Sequence, residues 1–175
     1  DIIDIIKGYA AKLRETVSVD ELMGTEGMIR QTYYDAFNLI LNEFEMGNRT
    51  KQPPQNEVNA LISFGNMMCY TLCLRAIHQT QLNPTISFLH TPGERRYSLA
   101  LDIAEVFKPV IIDRVIFKVL NKREIQEKHF DKKLNKCLLN HSGKKIFVKA
   151  IELECYKLAK HLLEIEEYKP FKMYW

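Results

Sequence analysis

Apolar and polar positions along the chain follow the pattern of helices in nearly every segment. The segment 25–46 is the clearest case, because its apolar residues form one stripe at the helical period of about 3.6 residues. Similar patterns cover most of the remaining chain outside its loops. The predicted helices are residues 2–15, a helix that starts near Val19, and residues 25–46, 56–80, 96–107, 110–121 and 143–165.

Local signals predict where several of these helices begin and end. Ser18 and Glu21 have the spacing of a capping box, which is typical of a helix start. The stretch Gly47–Gln55 is predicted to be a loop that ends the preceding helix, because its two prolines cannot continue one. Ser142 is expected to cap the last helix.

Signals for β-strands are scarce. The sequence contains no Asn-Gly hairpin pair and no sustained alternation of period two. The region 122–141 is irregular and has room for one short strand. We therefore predict an all-α fold that forms a single domain over residues 1–175.

Composition is that of an ordinary globular protein. The chain has 175 residues, 46% of them hydrophobic and 27% charged, which is enough to bury a core and argues against disorder. No apolar run approaches the roughly 18 residues of a membrane span, and no signal peptide is visible, so we expect a cytoplasmic protein. Because position 1 is not Met, we expect a piece of a longer protein. The net charge of +3 is compatible with binding nucleic acid.

The four cysteines point away from a zinc site. Cys69 and Cys73 are one helical turn apart, and neither a CxxC pair nor a Cys/His zinc spacing occurs. We expect reduced and mostly buried thiols.

Glu26 and His90 are the first candidates for chemistry. Glu26 lies between glycines, which allow close approach to the backbone, but it also lies in the first turn of a helix, where a carboxylate favours the helix dipole. His90 ends an apolar run and precedes a turn, so it could bind a ligand or simply the turn's backbone.

Asp102 and Glu105 form the sharpest pair. Their i, i+3 spacing puts both carboxylates on one face of an otherwise apolar helix. Two like charges in that setting need a compensating cation, which can be a basic side chain or a metal ion. Three carboxylates and one imidazole make an oxygen-rich set that suits Mg²⁺ or Mn²⁺ better than zinc.

Other catalytic motifs are not found in the sequence. It has no phosphate-binding Walker loop, no GxGxxG, no GxSxG and no HExxH pair.

Taken together, several stretches resemble the CRISPR-associated integrase family Cas1. They run in the family's order, span nearly the whole chain and are highly specific as a set. The stretches are LMGTEG (22–27), PQNEVNALISFGN (54–66), NPTISFLH (83–90), RYSLALDIAEVFKP (96–109), LECYKL (153–158) and EYKP (167–170).

The resemblance implies the helical catalytic domain of a two-domain protein whose amino-terminal β domain precedes this chain. It implies one Mg²⁺ or Mn²⁺ ion held by Glu26, His90 and Glu105. Glu105 stands where many members of the family carry Asp. Asp102 maps onto a neighbouring acidic position that orients water or supports a ligand.

The resemblance also implies an activity and partners. The activity is that of a divalent-metal DNA endonuclease and integrase, which inserts new spacers into a CRISPR array by transesterification. The partners are double-stranded DNA, a second copy of the chain and the small protein Cas2. Tyr70 matches a tyrosine near the site, for which DNA contact and plain packing are both open. Arg95 and Arg96 stand where a basic residue can contact the DNA backbone.

Two other functions remain open at this point. A helical metal phosphodiesterase acting on nucleotides would have paired His-rich motifs, whereas this chain has one well-placed His. A non-catalytic helical module that binds DNA or a partner protein would show no dependence on divalent ions.

Overall fold

The helices predicted from the sequence are present, with some boundaries shifted. A computed structural model describes residues 2–13, 18–90 and 96–164. Within these ranges it has six α-helices and one β-hairpin. The elements are α1 (Ile2–Lys12), α2 (Val19–Asp35), α3 (Glu57–Ile77), α4 (Ser98–Phe107), α5 (Arg114–Asn121), β1 (Phe130–Lys133), β2 (Lys136–Leu139) and α6 (His141–Glu164).

Helix α2 begins where the capping signal predicts. The side chain of Ser18 accepts a hydrogen bond from the backbone N–H of Glu21 at 3.2 Å, which satisfies one of the free donors of the first turn. The predicted extension of this helix to residue 46 is wrong, since α2 ends at Asp35 and a 3₁₀ turn follows over Ala36–Leu39.

Tertiary hydrogen bonds explain the early end of α2. The side chain of Asn121 accepts from the N–H of Asn42 at 3.2 Å and donates to the carbonyl of Ile40 at 2.8 Å. The side chain of Asn38 accepts from the N–H of Met46 at 2.7 Å. These bonds satisfy backbone groups that a helix would otherwise pair, so residues 40–46 form a loop against α5.

The all-α prediction is wrong in one detail, because residues 130–139 form an antiparallel hairpin. Phe130 pairs with Leu139 and Lys133 with Lys136. Each strand has four residues, so the alternation is too short to stand out as a pattern of period two. The backbone N–H of Cys137 donates to the carbonyl of Pro54 at 2.8 Å and ties the hairpin to the loop before α3.

Helix α6 starts two residues earlier than predicted and uses a different cap. The side chain of Asn140 accepts a hydrogen bond from the N–H of Gly143 at 3.0 Å. Ser142 donates its hydroxyl to Asn140 instead of capping the helix itself.

Helix α3 is the central helix of the core. It buries nine residues along its length, including Leu61, Ile62 and Gly65, and it packs against α4 and β2. By length and composition, α3 is also the one helix among the described residues that is apolar enough to cross a membrane, with a mean hydropathy of 1.4. The expectation that no apolar run approaches the length of a membrane span therefore does not hold for this helix. Its burial against neighbouring helices is typical of the core helix of a globular domain.

The cysteines behave as expected. All four are free thiols, and Cys69, Cys73 and Cys137 are buried. They contribute to the core as small apolar side chains.

A six-residue π-helix, Lys108–Asp113, joins α4 to α5. The sequence predicts two helices with a break between residues 107 and 110, and the structure replaces that break with this wider turn. Such turns occur frequently at functional sites. Here the turn leaves Lys108 beside the preceding helical turn and buries Asp113, whose relative exposure is 3%.

The close contact between α3 and the π-helix predicts the effect of a mutation. A Cβ atom on Gly65 would overlap Cγ2 of Ile112 and lie 3.3 Å from Cε1 of Phe147. We expect Gly65→Ala to lower the free energy of unfolding by about 1–3 kcal/mol in chemical denaturation. Gly8→Ala on exposed α1, where a Cβ would meet nothing within 4 Å, is the matched control and should be neutral or stabilising. Equal stability of the two variants would contradict this packing.

Candidate metal and active site

Two of the predicted site residues, Glu26 and Glu105, are held together by one arginine. Glu26 and Arg30 lie one turn apart on α2, whereas Glu105 lies on α4, 75 residues beyond Arg30. Arg30 donates from the same Nη2 atom to Oε1 of Glu26 and to Oε2 of Glu105. All three groups are partly buried. The two carboxylates therefore share a single positive charge.

Lys108 supplies a second cation at this place. Its Nζ atom donates to Oε1 of Glu105, and the two side chains are only 13% and 19% exposed. Burial by itself would raise the pKa of Glu105, but the hydrogen bond from Arg30 and the charge of Lys108 outweigh it. The pKa of Glu105 is therefore lowered, and this side chain is a carboxylate at neutral pH.

Asp102 holds the loop that carries His90. Its Oδ2 atom accepts from the backbone N–H groups of Phe88 at 2.8 Å and Leu89 at 3.0 Å. Its Oδ1 atom accepts from the N–H of His90 at 3.1 Å and lies 2.6 Å from Nδ1 of the His90 ring. The carboxylate is thus surrounded by donors and fixes both the backbone and the ring of His90.

The electrostatics of Asp102 follow from these bonds. Burial would raise the pKa of this carboxyl group, but hydrogen bonds from His90 and from three backbone N–H groups lower it. Because Nδ1 of His90 is engaged, Nε2 is the ring nitrogen left to face another ligand. Asp102 is therefore placed to position His90 rather than to contact a substrate.

The four predicted site residues form two pairs in the structure. That the proposed ligands from both pairs meet at one metal ion remains a prediction. Glu26 meets Glu105 through Arg30, and His90 meets Asp102. Asp102 and Glu105 are three residues apart on α4, which joins the two pairs through one helical turn. Among the described residues, no three His, Cys, Asp or Glu side chains are grouped closely enough to hold a metal ion.

The two acids on α4, Asp102 and Glu105, are each compensated by protein groups. Glu105 is neutralised by two basic side chains, Arg30 and Lys108. Asp102 is stabilised by backbone donors and His90. Each carboxylate has its own partners, so the two do not compete for one cation.

Asp113 is a buried acid near this site that is not among the residues predicted from the sequence. Burial raises the pKa of Asp113 to about 6, even though a hydrogen bond from Tyr33 and the charges of Arg30, Lys108 and Arg49 all oppose the rise. Within the described part of the chain, its Oδ1 atom has no hydrogen-bond partner. A lone acid in the run Val110-Ile-Ile-Asp-Arg-Val115 is the signal that could have drawn attention to it.

Arg30 and Lys108 are also missed, although their spacing offers a hint. Arg30 follows Glu26 by four residues and Lys108 follows Glu105 by three, which are the distances at which helix side chains meet. Such pairs are frequent on exposed helices. These two are distinguished by binding the same carboxylate, Glu105, which Arg30 reaches from α2 and Lys108 from the turn after α4.

Two of the three candidate DNA-binding residues, Tyr70 and Arg96, fall within the described residues. Tyr70 is partly buried and packs against the hydrophobic core, so its packing is established while DNA contact remains a prediction. Arg96 is exposed, and its guanidinium carbon lies 5.5 Å from the centre of the Tyr97 ring. Arg95 lies outside the described residues.

The bonds of Asp102 predict a pH-dependent contribution to stability. We expect Asp102→Asn to lower the free energy of unfolding by about 1–3 kcal/mol at neutral pH, because an amide nitrogen would face donors. The folded-state pKa of Asp102 is lowered, so its charge stabilises the fold above the ordinary value of 3.8 and this contribution is lost as the pH falls through the folded-state value. The difference between the native protein and the variant should therefore shrink below pH 3.8 in denaturation measured across pH.

Asp131→Asn, on an exposed position of β1, serves as the control. It should change stability by less than about 0.5 kcal/mol. A difference for Asp102→Asn that stays constant down to strongly acidic pH would contradict the role assigned to its charge.

Comparisons of this chain with family models, curated proteins and solved structures agree on one family. Residues 1–153 match the family described as CRISPR associated protein Cas1. A CRISPR-associated endonuclease Cas1 from Thermodesulfovibrio yellowstonii is 46% identical, over 97% of this chain and 60% of the relative. The solved structure of a CAS1 protein from Thermotoga maritima is 40% identical with a TM-score of 0.79, and the match covers 95% of this chain and 59% of that one.

A more distant structure shares the fold. A chain of a solved partial Cas6-RT-Cas1–Cas2 complex is 21% identical, with a TM-score of 0.83 over 91% of this chain and 50% of that one. The chain spans about 60% of the length of the curated relative that it matches. The family match over most of the chain, the identity to named relatives and the shared fold agree, and the chain belongs to the Cas1 family.

Proposed function

We propose that this protein is a divalent-metal-dependent DNA endonuclease and integrase that inserts new spacers into a CRISPR array. Membership of the Cas1 family and the endonuclease named among its relatives support this activity. The observation that supports it is the pairing of acids from two distant helices, Glu26 and Glu105, through Arg30. Asp102, three residues before Glu105 on the same helix, orients His90.

The proposed cofactor is Mg²⁺ or Mn²⁺, held by Glu26, Glu105 and Nε2 of His90. Two features of the side chains fit such an ion. The carboxylates already share a cationic group, and the bond between Asp102 and Nδ1 of His90 leaves Nε2 as the donor nitrogen. Two carboxylates and one imidazole are a ligand set that these ions accept. When bound, the ion would stabilise the negative charge that develops on a phosphate oxygen during phosphoryl transfer.

The proposed reaction is a transesterification. The 3′-hydroxyl oxygen of the incoming DNA forms a bond to a phosphorus atom at the repeat boundary. The bond between that phosphorus and the 3′-oxygen of the array strand breaks, and the proton passes, in net terms, to the departing oxygen. With water in place of the hydroxyl group, the same site would act as an endonuclease.

The chain's own residues would mainly position the reactants. Asp102 keeps the ring and backbone of His90 in place. Lys108 offers a positive charge next to Glu105 that suits a phosphodiester. Arg96, on the surface near the start of α4, and Tyr70 are the proposed contacts to the DNA backbone.

The proposed partners are double-stranded DNA, a second copy of the chain and Cas2, in the cytoplasm of a prokaryote. The structural neighbour from a Cas1–Cas2 complex supports the choice of Cas2. Contacts to the sugar-phosphate backbone are expected to dominate DNA binding, so binding should weaken strongly as salt concentration rises.

The test is strand joining in the presence of Mn²⁺, with Glu26→Gln and His90→Ala. Each variant removes one proposed ligand, and we expect the rate of joining to fall by at least about 100-fold. The thermal stabilisation that Mn²⁺ gives the native protein should also decrease in both variants, because fewer ligands hold the ion.

Glu124→Gln removes an exposed carboxylate after α5 and is the matched control, with joining expected at the native rate. Native activity in either ligand variant would show that the ligands are assigned wrongly. If the native protein neither joins strands nor gains stability with Mn²⁺, a non-catalytic module that binds DNA or a partner is the better description.

A further inference from the structure

Arg30 occupies the space between the two carboxylates proposed to bind the metal. It donates to Glu26 and Glu105 from a single nitrogen, and its side chain is 36% exposed. A divalent cation held by both carboxylates would lie close to the guanidinium group that bridges them, and the two positive charges would repel each other. Binding of the ion would therefore favour the departure of Arg30 from this place.

A second carboxyl group, that of Asp113, lies within the range of the charge of Arg30. The charge of Arg30 already acts on Asp113, as do those of Lys108 and Arg49, and within the described residues Oδ1 of Asp113 has no hydrogen-bond partner. Tyr33, one helical turn after Arg30 on α2, makes a hydrogen bond to the same carboxyl group. The buried carboxyl group thus has one oxygen that could accept a donor from α2.

Arg30 would have a carboxylate partner in both positions, either Glu26 and Glu105 or Asp113. Burial of a guanidinium group without a partner is costly, so a side chain displaced from one carboxylate is stable only if another receives it. An arginine side chain can redirect its donors by rotating about its side-chain bonds, with no movement of the helix.

We propose that Arg30 is a positioning residue that holds Glu26 and Glu105 together in place of the divalent ion and moves to Asp113 when the ion binds. The inference rests on the proposed function, because it takes Glu26 and Glu105 as metal ligands. Arg30 keeps the two carboxylates close without their mutual repulsion, and it competes with the ion for them.

The experiment is a double-mutant cycle read as Mn²⁺ affinity by isothermal titration calorimetry at neutral pH. Arg30→Met keeps a long side chain but removes the charge, so we expect Mn²⁺ to bind about tenfold more tightly, equivalent to ~1.4 kcal/mol. Asp113→Asn removes the anion that would receive Arg30, so we expect Mn²⁺ to bind more weakly than in the native protein. In the double variant, Asp113→Asn should have little further effect, because no arginine then needs a new partner.

Arg75→Met, at an exposed position in the last turn of α3, controls for the loss of one positive charge and should leave Mn²⁺ affinity unchanged. Affinity in Arg30→Met that is equal to or weaker than the native value would overturn the competition. If Arg30→Met does not fold, Asp113→Asn alone decides, and native affinity in that variant would overturn the transfer to Asp113.

The two proposals fail in different ways. If Mn²⁺ binds neither the native protein nor Arg30→Met, the metal assignment is wrong and the role of Arg30 is lost with it. If the native protein binds Mn²⁺ and Glu26→Gln weakens that binding, but Arg30→Met does not strengthen it, the metal site stands and the role of Arg30 is overturned.

Discussion

The shared charge between α2 and α4 is the interaction on which the candidate site depends. Glu26 and Glu105 come from helices far apart in the chain, and as two partly buried carboxylates they would repel each other. One guanidinium group converts that repulsion into attraction. The positive charge between them lets the helices approach without that repulsion, so the same contact serves the packing and brings the two candidate ligands together.

The histidine is held by a different means. His90 lies in a loop rather than on a helix, and a loop by itself gives a ligand poor precision. Three backbone N–H groups of this loop converge on one buried carboxylate of α4. Since Glu105 lies one turn further along the same helix, α4 determines the position of the acid and the imidazole together. The positions of Glu105 and His90 are thus both fixed by the rigid helix α4.

Local signals made part of this molecule predictable. Ser18 and Glu21 act within four residues of each other, so the start of α2 follows from sequence spacing. The early end of α2 does not, because it depends on Asn121, about 80 residues away. The β-hairpin has strands of four residues, too short to produce a clear period.

The same distinction applies to the site. Residue types and spacing already singled out Glu26, His90, Asp102 and Glu105, and the resemblance to the Cas1 family gave them roles. It did not single out Arg30 or Asp113, whose importance arises only when α2, α4 and the π-helix are folded together. An arginine four residues after a glutamate is common, and nothing in the sequence indicates that it also reaches a third residue on another helix.

The π-helix affects the direction in which the side chains of the following helix, α5, point. A regular α-helix advances by about 100° per residue, and the wider π turn holds about one residue more than an α turn. The extra residue is therefore taken up within the turn and does not rotate the side chains that follow. The buried face of α5, with Val115, Ile116, Val119 and Leu120, stays on the core side as a result. If the wide turn tightened to the α-helical pitch without losing a residue, this apolar face would rotate by about 100° away from the core. The alignment of the site with the core is thus fixed by residue count and turn geometry together, and not only by residue identity.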